Sequence, residues 1–229
     1  MITSIKTNLQ LQNEVQEAIN WEPLLKPRQI TVEAFEGMIT LSGIVESYIK
    51  KSIAEDVTKK IAGVKAVVEK IKVKINTEDE KSDVEIACDV LRALKANTSI
   101  PFDRLQIEVE NGHVILDGNL EWNYQRNAAQ KAASNIDGIK VLTNNIIIEV
   151  ISPDEVEKAA IEQAIARNWA MNNHDVQVYV SKNEVTLHGI VHSFYQKEEA
   201  ERMSWNAPGV RTVKNEIIID YANNKVDDI

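Results

Sequence analysis

Three stretches of this chain repeat one framework. Leu41-Ser42-Gly43 leads to Ala62-Gly63-Val64, Leu116-Asp117-Gly118 to Asp137-Gly138-Ile139, and Leu187-His188-Gly189 to Pro208-Gly209-Val210. The two glycines stand 20 residues apart in each copy, and Val15, Val90 and Ile161 each lie 28 residues before the first of them. A spacing held over three units marks a tandem repeat, so the chain must build three like units rather than one large core. Each has about 75 residues, small but enough to fold around its own core.

Each unit opens on a helix signal. Thr7-x-x-Gln10, Ser82-x-x-Glu85 and Ser152-x-x-Glu155 fit a capping box, in which two side chains satisfy the first free N–H groups. Pro153 follows Ser152 at the first helical position, where its missing N–H costs nothing. Apolar residues then recur at helical spacing: Leu11, Val15, Ala18 and Ile19; Ile86, Val90 and Leu94; Ile161, Ile165 and Trp169. Pro23 and Pro27, Pro101, and Asn172-Asn173 mark the exits.

A strand with strict alternation follows in each copy: Ile30, Val32, Ala34; Leu105, Ile107, Val109; Val176, Val178, Val180. Gly37, Gly112 and Asn183 occupy the next turn, where residues tolerant of positive φ suit a tight hairpin. The second strand ends near the first framework glycine. A second helix, with Ile53, Val57, Ile61 or Met203 among its apolar positions, fills the interval to the second. A third strand closes the unit at Ile71-Val73, Ile146-Ile148 and Ile217-Ile219. A crossover through a helix makes the second and third strands parallel. The expected fold is therefore α+β: three tandem αββαβ repeats, each a mixed three-stranded sheet with two helices packed on one face. The expected domains are 1–77, 78–151 and 152–222, with 223–229 a flexible tail.

These features resemble the BON domain, the module named after bacterial osmotically induced and nodulation proteins. The likeness rests on the Leu-x-Gly of the second strand, the glycine about 20 residues on, and the closing pattern. That pattern reads Val64, Val67, Ile71, Val73, then Ile139, Leu142, Ile146, Ile148, then Val210, Val213, Ile217, Ile219. It covers nearly the whole chain. The resemblance implies an αββαβ fold, no catalytic activity and no cofactor. It also implies an association with bacterial envelope stress and a proposed affinity for phospholipid.

The net charge of −9 is unevenly spread. Residues 1–77 carry 11 basic and 9 acidic groups, residues 78–152 carry 7 and 13, and residues 153–229 carry 8 and 13. An acidic chain is a poor nucleic-acid binder, because that affinity comes from neutralising phosphates. Only the first repeat is suited to approach an anionic membrane. No apolar run reaches the roughly 18 residues of a membrane span, and the N-terminal residues lack a signal-peptide core. The expected location is the cytoplasm. The single cysteine, Cys88, excludes an internal disulfide and reads as a packed helix residue.

The framework glycines Gly43, Gly63, Gly118, Gly138, Gly189 and Gly209 are too far apart for a phosphate cradle, and their expected role is backbone geometry. His188 and His192 lie four apart on a strand, about 13 Å, too far for one metal. With His113 and His174 they read as surface residues. Ser47 and Ser193 read as helix caps. No nucleophile–base pair carries a recognisable motif. The lysines of the first repeat stand out. Glu55–Lys59 and Asp56–Lys60 are i,i+4 pairs that neutralise the second helix. Lys70, Lys72 and Lys74 instead alternate with Ile71, Val73 and Ile75, so their ammonium groups share one sheet face about 7 Å apart.

The equivalent positions are Asn145, Ile147 and Glu149, then Glu216, Ile218 and Asp220. The lysine stripe is either a solvated face, a contact for lipid headgroups or another anion, or a dock for the acidic face of another repeat. Phe35 and Met38, Ile115 and Ile147, and Tyr179 and Ile218 also point away from the helices, which suggests a covered face made by repeat or subunit packing. Trp21, Trp122, Trp169 and Trp205 are candidate interfacial anchors, with Trp122 the best placed for exposure. The expected partners are a phospholipid or another protein, with homo-oligomers an open option. A small cation held by backbone carbonyls would leave no motif.

Overall fold

The computed structural model describes residues 6–25, 29–75, 80–149, 156–168 and 175–220. The expected capping box at Ser152 and Glu155, Pro153, Pro27, Trp169, Asn172-Asn173, His174 and the tail lie outside the described residues. Cα packing groups the chain into two compact units, one drawn from 1–42, 54–70 and 152–229, the other from 43–53 and 71–151. That division passes through the first sheet, whose strands are nonetheless hydrogen-bonded in a single order.

Each repeat has the expected αββαβ order. The first comprises α1 (Asn8–Trp21), β1 (Ile30–Phe35), β2 (Met38–Val45), α2 (Tyr48–Lys59) and β3 (Ala66–Val73). The second comprises α3 (Asp83–Ala96), β4 (Leu105–Glu110), β5 (His113–Leu120), α4 (Asn123–Ser134), β6 (Val141–Asn144) and β7 (Ile147–Ile148). The third comprises α5 (Lys158–Ala166), β8 (Val176–Ser181), β9 (Glu184–Val191), α6 (Phe194–Trp205), β10 (Thr212–Asn215) and β11 (Ile218–Ile219). The second strand is central in every sheet, antiparallel to the first and parallel to the last in repeats two and three.

Local chemistry accounts for the element ends. Both described capping boxes form: Thr7 accepts from Gln10 N and Ser82 from Glu85 N, while the Gln10 and Glu85 side chains accept from the cap N–H groups. The bonds from Ser82 hold the Glu85 carboxyl below its usual range. In the hairpins, Glu36 and Gly37 both take positive φ, as do Asn111 and Gly112. The third hairpin differs from expectation. Lys182 carries the positive φ of 56°, and Asn183 donates from Nδ2 to the Gly209 carbonyl at 2.7 Å. At Gly118 and Gly189, φ is 136° and 141°, and an added Cβ would fall 2.2 and 1.9 Å from the carbonyls of Arg104 and Asp175. Only glycine lets the first two strands meet this closely.

The third strand is continuous in repeat one but broken in the other two. Asn144 accepts from Ile146 N through its own Oδ1 and donates to Gln130 of α4; Asn215 does the same toward Ile217 N and Glu201 of α6. A side chain bonding two residues on competes with the ladder and interrupts it. Glu69 occupies this place in repeat one.

Val15, Leu41 and Ile71, Val90, Leu116 and Ile146, and Ile161, Leu187 and Ile217 are buried between sheet and helices. Each contributes on the order of 2 kcal/mol by leaving water. The second helices match expectation at Met203, which is buried, and differ from it elsewhere. Ile53, Val57 and Ile61 are half-buried, and the fully buried positions are small: Ala54 and Thr58, Ala129 and Ala133, Ala200 and Ser204. Small residues at i and i+4 let the helix backbone lie close against its repeat. Thr58 and Ser204 satisfy their hydroxyls by donating to the carbonyls four residues back, at 2.7 and 2.8 Å. Cys88 is exposed rather than packed. The buried stripe of α3 is Ile86, Val90 and Leu94, and a residue two places away lies about 200° around the helix.

Candidate functional site

Helices cover one face of each sheet, and alternation assigns the remaining side chains to the open face. On β3 and just past it, Ile71 is buried and Val73 half-buried, while Lys70, Lys72 and Lys74 are exposed. Among the described residues none forms an ion pair with these three lysines. The structure thus brings together the stripe that alternation implied. Across the same face, the solvent-facing positions of β1 and β2 add Phe35 at 62%, Met38 at 43% and Ile44 at 52% exposure. Ile44 had no place in the sequence reading, although it alternates with the buried Val45. Glu33 is the single carboxylate among the β1–β3 positions of this face. The result is a cationic face with apolar side chains beside the charges.

The open face of repeat two has the opposite sign. Glu108 and Glu110 on β4 pair across the ladder with Ile115 and His113, and Asp117 pairs with Gln106. Glu149 follows β7, whose Ile147 lies beside Asn119. Glu108, Glu110, Asp117 and Glu149 have no ion-pair partner among the described residues, and no Lys or Arg occupies an open-face position of β4 to β7. Ile147 is 57% exposed in the middle of this field. Each carboxylate alternates with a helix-facing apolar residue, a signal present in the sequence but weighed only for the lysines. A shallow depression of about 610 Å³ lies at one end, lined by Arg104, Gln106, Gly118, Asn119 and Glu149. Its cation is engaged, because Arg104 pairs with Glu121 at 2.8 Å.

Repeat three is internally matched. Lys214 pairs with Glu184 at 2.7 Å, and the Glu184 bond holds the Lys214 ammonium above its ordinary range. His188 lies 3.4 Å from Glu216 and meets the Tyr179 ring edge-on at a centroid distance of 5.3 Å. Phe35, Met38, Ile147, Tyr179 and Ile218 are all exposed.

The other candidates do not join a site. Trp122 is exposed at the N-cap of α4, where its N–H donates to Gln125 Oε1 at 3.1 Å. Trp21 is exposed at the end of α1, and Trp205 is half-buried with Nε1 3.4 Å from Glu201. All six framework glycines have positive φ. His113 shares a 2.8 Å hydrogen bond with Thr143, and His192 Nδ1 lies 2.7 Å from the Asp220 carbonyl. Ser193 caps α6 by accepting from Gln196 N. The Glu55–Lys59 pair forms at 3.0 Å. Among the described residues no group of three His, Cys, Asp or Glu could hold a metal. No helix among them is long and apolar enough to cross a membrane.

Comparison with known proteins finds relatives of this chain. Osmotically-inducible protein Y of Escherichia coli (strain K12) is 28% identical over 126 residues, 53% of this chain and 63% of that protein. The chain thus spans less than two thirds of that relative's length. Among solved structures, CdsD, a structural protein of the type III secretion system of Chlamydia trachomatis, aligns over 91% of both chains at 18% identity and a TM-score of 0.25. Its C-terminal domain aligns over 94% of this chain and 100% of that one, at the same identity and TM-score. The family model of the BON domain matches residues 7–75, 82–149 and 153–221. With three matched copies over most of its length, the chain belongs to the BON domain family.

Proposed function

We propose that this chain is a non-enzymatic, stress-associated binding module that docks on anionic phospholipid surfaces through the open face of its first repeat. The stress reading comes from its likeness to a protein named for osmotic induction. The observation that carries the lipid reading is the set of exposed Lys70, Lys72 and Lys74, without ion-pair partners among the described residues, beside exposed Ile44, Met38 and Phe35. Each lysine near an anionic surface contributes about 1 kcal/mol, and partial burial of the three apolar side chains adds a few more. Such a sum supports reversible peripheral attachment, comparable to a single acyl chain. The negative charge elsewhere does not prevent it, because charges beyond about 8 Å are largely screened at physiological salt.

Co-sedimentation with phosphatidylglycerol-containing vesicles and with pure phosphatidylcholine vesicles tests this reading. The wild-type chain pellets with the anionic vesicles, and Lys70→Glu/Lys72→Glu/Lys74→Glu weakens that binding by about a hundredfold or more. Absence of binding, or binding that the triple change leaves intact, would refute it and favour a protein-interaction scaffold without lipid affinity.

A further inference from the structure

The carboxylate face of repeat two needs a different occupant, because an anionic membrane repels it. We infer that the chain associates head to tail, with the lysine face of repeat one in one copy seated on the open face of repeat two in a second copy. The inference uses the face assigned above to lipid but does not rest on lipid binding. A membrane and a second copy exclude each other there.

The two faces are complementary in charge and in apolar content. Lys70, Lys72 and Lys74 stand about 7 Å apart along one strand, and Glu108 and Glu110 have the same spacing on β4. Asp117 and Glu149 extend the negative field, and Ile147 stands exposed within it as Ile44 does within the positive one. All these charges lack ion-pair partners among the described residues, so both faces have uncompensated potential to satisfy. Repeat three is the weaker alternative, because its Glu184 and Glu216 already have Lys214 and His188 as neighbours. The contact joins two different surfaces, so it is heterologous and extends into a chain or closes into a ring.

Its strength follows from its size. Strands β2 and β3 have 8 residues each. At about 3.3 Å per residue and 4.8 Å between strands, a three-stranded face measures about 26 by 14 Å, roughly 370 Å² per copy. That is about half the usual 800 Å² per partner of a stable interface. The association is therefore weak and salt-sensitive, seen at high protein concentration and low ionic strength.

Sedimentation velocity of the full chain over a concentration series tests it, with far-UV circular dichroism confirming that every variant is folded. The sedimentation coefficient of the wild type rises with concentration at low salt and returns to the monomer value at high salt. Lys70→Glu/Lys72→Glu/Lys74→Glu and Glu108→Lys/Glu110→Lys/Glu149→Lys each remain monomeric alone. An equimolar mixture of the two associates, because each supplies the sign the other lost. A wild type that stays monomeric throughout, association that survives either reversal, or a mixture that fails to associate would overturn the inference. Vesicle binding separates this result from the lipid reading. Glu108→Gln/Glu110→Gln/Glu149→Gln, which removes the carboxylates without adding a second cationic face, keeps its affinity for anionic vesicles while losing self-association. Self-association without any vesicle binding removes the lipid reading alone.

Discussion

Replacing Gly118 by alanine tests the claim that the first two strands meet at a point only glycine can occupy. At φ 136° the new side chain imposes backbone strain of about 2 kcal/mol. Its Cβ would lie 2.2 Å from the Arg104 carbonyl oxygen, about 1 Å inside an ordinary C···O contact. Leu105 is paired with Gly118 at the end of the β4–β5 ladder, so relief requires the two strands to separate there. That shift costs about another 2 kcal/mol in lost hydrogen bonding and packing. Stiffening of the unfolded chain returns somewhat under 1 kcal/mol. The net loss is about 3 kcal/mol, roughly 150-fold in the opening equilibrium of repeat two.

Gly138→Ala is the internal control. Its φ of 99° imposes comparable strain, but its Cβ would meet Ile86 side-chain atoms at 2.9 and 3.0 Å rather than backbone, so relief does not require two paired strands to separate. The expected loss there is about 1.5 kcal/mol, near tenfold. Hydrogen exchange of the β5 amides, read by mass spectrometry, reports both openings in the same repeat. Equal protection in the two variants, or protection in Gly118→Ala within a few-fold of wild type, would refute the reasoning.

Two further outcomes follow from the packing and the charges. Ala133→Leu places a large side chain at a fully buried position of α4 and should destabilise repeat two by about 1–3 kcal/mol, read from the same β5 amides; tolerance of leucine there would show that the small-residue seam is not close-packed. The Glu199 carboxyl is held below its ordinary range chiefly by the bond from Arg202, with Asn168 adding a second donor. A depressed folded value makes that contribution complete above the unfolded value of about 4.3 and lost as pH falls through the folded one. Glu199→Gln should therefore lower the urea midpoint at neutral pH, with the gap closing in acid; a gap constant from pH 7 to pH 3 would count against it.

The lysine stripe was legible because a strand's period is two, so Ile71 and Val73 facing the core send Lys70, Lys72 and Lys74 to the other side. The repeat, its element order and both described capping boxes were legible for the same reason: spacing and local hydrogen bonding are properties of neighbouring residues. The burial of Ala129 and Ala133 was not, because hydrophobicity ranks large side chains first while a close helix contact selects small ones. Nor was the break at Asn144 and Asn215, since a side chain that bonds two residues on competes with a ladder only the folded sheet provides. The unpaired state of Glu108 and Glu110 likewise depends on cross-strand register, which sets Ile115 and His113 opposite them. The sequence by itself determined three αββαβ units and which side chains leave each core. Tertiary structure decided which of those charges meet a partner, because ion pairing across a sheet depends on neighbours far apart in the chain.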